Sequence, residues 1–178
     1  MSKKDGINSH IFIPKSILNR FAKIDKKNRN IIKYIDCNDM KIKSSTTSSF
    51  NTQLGYYSKQ NEKILCQESE SKIGNVIKKI QDIDDNTVLN EKDIEYIFRY
   101  LSYQILRTEG FPKELNKRFG TNLNIKFIKN ELIKEEVELN TLYNVIKNED
   151  MHVIINNSNV KFVLPTNSMY TFKLNVYF

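Results

Sequence analysis

The chain has 178 residues, with 2 Cys, 5 Gly and 3 Pro, which excludes a disulfide framework, a fibrous repeat and a low-complexity linker. Its formal net charge is +7, and the excess sits at one end: residues 1–45 carry 11 Lys and Arg against 4 Asp and Glu, while the remainder is balanced. No apolar run approaches the ~20 residues that span a bilayer, and no signal-peptide core follows the basic start, so the expectation is one soluble, cytoplasmic domain with Cys37 and Cys66 as free thiols.

Along the chain, Ile11-Phe12-Ile13 reads as a short strand. Pro14 can then open a helix, because its fixed φ and missing N–H suit a first helical position. Leu18 and Phe21, with Ile17 beside them, give that helix an apolar edge. Ile31 to Ile35 is β-branched and aromatic and predicts a strand. The Ser/Thr-rich run from Lys43 to Asn51 reads as a mobile loop.

The middle of the chain is helical. Ile73, Val76, Ile77, Ile80 and Ile83 share one helical face. Asn90 is a good N-cap, with Glu91 and Asp93 in the first turn where the helix dipole favours acids. Ile94, Ile97, Phe98, Leu101 and Ile105 then repeat at helical spacing until Gly110 and Pro112. The two helices make an αα-hairpin. Residues 112–149 predict two or three shorter helices, one of them through Leu142, Val145 and Ile146. At the end, 152–155 and 160–164 flank Asn156-Asn157-Ser158-Asn159 as a hairpin, and 171–178 alternates as a third strand.

Few residues announce chemistry. His10 and His152 are the only histidines, and neither has catalytic or zinc spacing around it. The segment Asp82 to Asp93 places Asp82, Asp84, Asn86 and Asp93 in the register of a calcium loop. It carries Thr87 where that loop has glycine, so the plainer reading is an Asp/Asn turn followed by a cap. On the second long helix Arg99, Tyr103 and Arg107 recur every fourth residue, with Tyr96 and Tyr100 beside them, on a face away from the Ile/Leu stripe. Such a row can stack on bases, hold phosphates or anchor a protein. Alternatively it is a solvated edge whose arginines pair with Glu70 or Glu95. Lys15, Arg20, Lys23, Lys26, Lys27 and Arg29 form a basic segment that would concentrate anions.

Several landmarks resemble those of a bacterial and phage family, domain-of-unknown-function family four-two-three-eight. They are the His10-Ile11-Phe12-Ile13-Pro14 start with Leu18 and Phe21 following, the aromatic Gly55-Tyr56-Tyr57, Glu70 ahead of Ile73, and Gln104-Ile105-Leu106-Arg107. The resemblance covers residues 9–108 and is poor in the tail, as in a short variant or fragment of a longer domain. It implies no reaction. It directs attention to His10, Glu70 and Arg107 as one polar cluster, either catalytic or structural.

The resulting expectation is an α+β fold, taken as a single domain over 1–178. It has an N-terminal strand-helix-strand, central helices with an αα-hairpin, and C-terminal antiparallel strands. The expected role is a non-enzymatic or weakly enzymatic accessory protein of a bacterium or phage that binds nucleic acid or a nucleoprotein without a cofactor. The alternatives are a protein-binding inhibitor or adaptor of a bacterial defence system, and a metal-dependent hydrolase or nuclease built on His10, Glu70 and Arg107.

Overall fold

The computed structural model describes residues 7–81 and 88–148. The fold is α+β. The expected C-terminal strands, His152, and Asp82, Asp84 and Asn86 of the calcium register lie outside the described residues.

The N-terminal region is a strand-helix-strand arrangement with two small antiparallel sheets. β1 (Asn8–His10) pairs with β5 (Thr52–Leu54), and β2 (Lys23–Ile24), β3 (Asn30–Asp36) and β4 (Lys41–Thr46) form the other sheet in that order. Between β1 and β2 lies α1 (Lys15–Phe21), with Pro14 as its extended N-cap. Leu18 packs with Ile13 and Ile32 in a small core, joined by Phe12, Ile17, Ala22 and Phe50.

Three expectations need correction here. The first strand sits earlier than Ile11-Phe12-Ile13, which is irregular. The Ile11 carbonyl is taken by the Tyr57 hydroxyl, which donates to it at 2.9 Å, instead of by a neighbouring strand. The Ser/Thr run is not a loop throughout, because Lys43–Thr46 completes β4 opposite Ile31–Tyr34. Cross-strand pairing uses the β-branched Thr46, and only 47–51 forms the turn. Phe21, expected in the apolar edge, is the last residue of a two-turn helix and is exposed.

A helical layer follows. α2 (Lys59–Ile64) runs through a π-helical turn (Leu65–Glu70) directly into α3 (Ser71–Gln81). Ser58 caps this rod by accepting from Asn61 N at 3.1 Å. α4 (Glu91–Arg107) starts with a reciprocal capping box between Asn90 and Asp93. The α3 face packs on α4: Ile73, Val76 and Ile97 form its core, flanked by Ile77, Ile80, Tyr96 and Leu101. These are the two hairpin helices; their connecting residues 82–87 are outside the described set.

α4 ends at Arg107, and Thr108 turns the chain out in an extended conformation. Gly110 and Pro112 do not terminate α4. They sit in the first turn of α5 (Gly110–Phe119), where the missing proline N–H has no partner to lose. α6 (Ile125–Lys134) and α7 (Glu136–Lys147) complete the layer, with Asn124 capping α6. The main core joins Leu65, Tyr103, Leu106, Ile128, Leu132, Ile133 and Leu139 with Tyr56 and Tyr57. α4 is its axis, touching the π-turn and α3, α5, α6 and α7.

Candidate functional site

The C-terminal half of α4 is buried almost all round. Ser102, Tyr103, Gln104, Leu106 and Arg107 are all inside. The Arg/Tyr row therefore is not an outward face: Arg107 and Tyr103 are core residues, Tyr100 is half-buried, and Arg99 is only partly exposed. A helix at the centre of a layer buries more than one stripe, which a single-stripe reading of its periodicity misses.

Arg107 is the centre of the polar cluster. Its Nη1 meets Glu70 Oε1 at 2.8 Å and its Nη2 donates to the main-chain carbonyl of His10 at 3.0 Å. The guanidinium also lies 5.8 Å from the Tyr57 ring centroid. Burial works against its charge, and the Glu70 carboxylate, with Tyr57 and Tyr100, more than restores it. Glu70 reaches Arg107 from the last residue of the π-turn, a local feature often found at functional sites. His10, Glu70 and Arg107 are thus brought together, but His10 joins through its backbone. Its imidazole is held below its ordinary pKa by burial first and by the Arg107 charge second.

Tyr57 locks the same region. Its N–H donates to Ser9 Oγ at 3.2 Å, and burial pushes its phenol well up from its ordinary value. The neighbouring segment is fixed by Asn130 of α6. Asn130 Oδ1 accepts from Ser58 N at 2.9 Å and Asn61 Nδ2 at 3.0 Å, while its Nδ2 donates to Tyr56 O at 3.0 Å. Tyr56 is thereby set against Lys129, whose ammonium lies 5.4 Å from the Tyr56 centroid and 4.6 Å from that of Phe12.

Lys129 was not among the sequence candidates, though a signal existed. Ile125, Ile128, Leu132 and Ile133 surround it on a helical wheel, so it stands inside the apolar stripe of α6. It is fully buried, and burial, the dominant cause, lowers its pKa to about 8; Glu109 opposes this, while Arg107 and Lys113 add to it.

The basic segment has the opposite character. Lys15, Arg20, Lys23, Lys26, Lys27 and Arg29 are all exposed on α1, β2 and the β2–β3 turn. Arg20 donates to Gly74 O at 3.0 Å and Arg29 pairs with Asp25 at 2.7 Å. Phe21 and Ile24 lie exposed among these cations. In the calcium register, Asp93 is committed elsewhere: it accepts from Lys79 Nζ at 2.7 Å and from Asn90 N at 3.2 Å. Among the described residues no group of three or more His, Cys, Asp or Glu is placed to hold a metal ion, and no helix is long and apolar enough to cross a membrane.

These features define an α+β domain built on a buried arginine clamp, with an exposed basic surface at its N-terminal end. The chain belongs to the family described as protein of unknown function (DUF4238), whose model matches residues 9–175. That match runs through the tail, well beyond the 9–108 over which the resemblance was legible. No curated protein and no solved structure matches the chain.

Proposed function

We propose that the protein binds nucleic acid through the surface formed by α1, β2 and the β2–β3 turn, as a non-enzymatic accessory protein of a bacterium or phage. The observation that carries this reading is the exposure of all six cations between Lys15 and Arg29, a stretch whose one acid, Asp25, is already held by Arg29. Exposed Phe21 and Ile24 supply apolar contact beside the phosphate-binding charges. Arg107 and Tyr103 contribute nothing directly, since both are inside.

Fluorescence polarisation with single- and double-stranded DNA and RNA across a salt series tests it. Each phosphate contact releases counterions and adds about −0.7 to −0.9 to the slope of log K against log salt concentration. Replacing Lys23, Lys26 and Lys27 by Ser is expected to weaken binding and flatten that slope. Binding that is insensitive to salt, or absent at low salt, removes the proposal.

A second reading, a protein-binding inhibitor or adaptor of a bacterial defence system, draws on a different surface. Ile35 and Ile42 face each other across β3 and β4 and are both exposed, with Met40 exposed at the hairpin tip. The anchors expected from sequence, Tyr100 and Tyr103, are not available for it. A salt-resistant complex abolished by Ile42→Lys would favour this reading over the first.

A further inference from the structure

The strongest unexplained feature is a group of buried nitrogens with no hydrogen-bond partner. Lys129 Nζ, Arg107 Nε, Gln104 Nε2 and His10 Nδ1 all have this character. They come from α6, α4 and β1, and the Arg107 charge acts on both His10 and Lys129. Gln104 stands one turn before Arg107 on α4, so the two share a face. The other unpartnered buried atoms among the described residues are Asn51 Nδ2, Asn61 Oδ1, Glu62 Oε1 and Ser69 Oγ, and Glu62 acts electrostatically on Tyr57.

Charge is unbalanced in the same place. Arg107 is matched by Glu70, but among the described residues no ion pair engages Lys129. The acid nearest to it in effect is Glu109, whose carboxylate is already bound to Lys113 at 2.6 Å. Buried donors without acceptors, and buried charges without counter-charges, are disfavoured in native proteins and call for a physical reason. The Phe12 and Tyr56 rings stabilise the ammonium partially, through their faces, but neither offers an in-plane lone pair at the nitrogen.

We propose that Lys129, with Arg107 Nε and Gln104 Nε2 as neighbouring donors, is the binding site of a small oxyanion, a carboxylate or inorganic phosphate, enclosed beneath Phe12 and Tyr56. The site is separate from the exposed basic surface and does not depend on nucleic-acid binding. One oxyanion supplies the missing negative charge, and its several lone pairs can accept from an ammonium on α6 and from donors on α4. Both covering rings belong to segments outside helix and strand, so they can move aside without breaking a ladder. The lowered proton affinity of Lys129 agrees with this arrangement, because an anion beside it restores the charged form.

Thermal unfolding of the whole chain is the test, with sodium phosphate and sodium acetate each titrated at ionic strength held constant with chloride. At least one oxyanion is expected to raise Tm saturably, by about 5 °C or more once it is roughly a hundred times above its Kd. The two arms tell phosphate from carboxylate. Lys129→Met is expected to abolish the response while keeping the wild-type circular dichroism, and Lys26→Ser with Lys27→Ser to leave it unchanged. If Lys129→Met does not fold, calorimetry of the wild-type chain at pH 8.5 in two buffers of different ionisation heat takes its place. Proton uptake on binding is expected there, given Arg107, Glu109 and Lys113 as the charged groups acting on Lys129. No saturable response to either anion, an equal response in Lys129→Met, or binding without proton uptake overturns the proposal and leaves the amine satisfied by the two rings alone.

Discussion

Arg107 and Glu70 lie 37 residues apart in sequence and meet at 2.8 Å, with the arginine side chain 2% exposed and the glutamate 22%. The pair ties the end of α4 to the π-turn, and the second guanidinium nitrogen ties both to β1. Removing the acid alone strands a buried charge. Glu70→Gln is therefore expected to destabilise the fold by about 3 kcal/mol, and the double variant Glu70→Gln/Arg107→Met by less than the two single changes together. Urea denaturation of the four proteins measures this; strict additivity would show that the pair is energetically uncoupled.

Lys129 predicts the reverse sign. Its folded pKa of about 8 lies below the ordinary 10.5, so between those values the unfolded chain holds the extra proton. Stability is expected to gain as pH rises through that window, and the penalty is complete below pH 8. Lys129→Met, which keeps the stem and drops the charge, is expected to be more stable at pH 7 by on the order of 3 kcal/mol and to lack that rise. Urea midpoints of both proteins from pH 7 to 10 decide it.

His10 gives a pH effect on the acid side. Burial and the Arg107 charge keep its folded pKa below 6.5, so below that value the unfolded chain takes up the proton first. Stability is expected to fall as pH drops through the ordinary histidine range. In a His152→Gln background the ring resonances report His10 alone, and a midpoint at or above 6.5 would contradict the geometry.

Asn130 joins three segments through one amide, contacting Ser58 N, Asn61 Nδ2 and Tyr56 O. Asn130→Leu keeps the branched shape and removes the amide, leaving Asn61 Nδ2 only its bond to the residue-130 carbonyl. A loss of about 3 kcal/mol is expected, together with exposure of Tyr56 to solvent quenchers. Chemical denaturation gives the first quantity, and quenching compared with and without Tyr56→Phe isolates the second among the nine tyrosines.

Much of this architecture can be read from residue order. The α3 stripe from Ile73 to Ile80, the Asn90 cap and the strand from Ile31 are local patterns, and local patterns survive folding. What could not be read was set by distant partners. Ile11 carries strand propensity, but its carbonyl is taken by Tyr57, 46 residues away. Tyr103 and Arg107 look like a polar face until α5, α6 and α7 close around α4. Of the candidate site, the His10, Glu70 and Arg107 association was visible only through the family resemblance. Lys129 was visible in the periodicity of α6 but resembles a surface lysine in composition.

The π-turn carries a consequence for how this chain can vary in length. Ser71 N donates to Cys66 O, five residues back, so the turn holds one residue more than an α-helical turn would. The widened turn absorbs that residue: were the rod to wind as continuous α-helix at its present length, everything after it would rotate by about 100° relative to α2. Asn61 would stay docked on Asn130 while Ile73 and Val76 swung off α4. The widened turn thus keeps the two ends of one rod in phase despite the extra residue. A single-residue deletion there, which removes the bulge and leaves both ends in phase, should be tolerated far better than a further one-residue insertion.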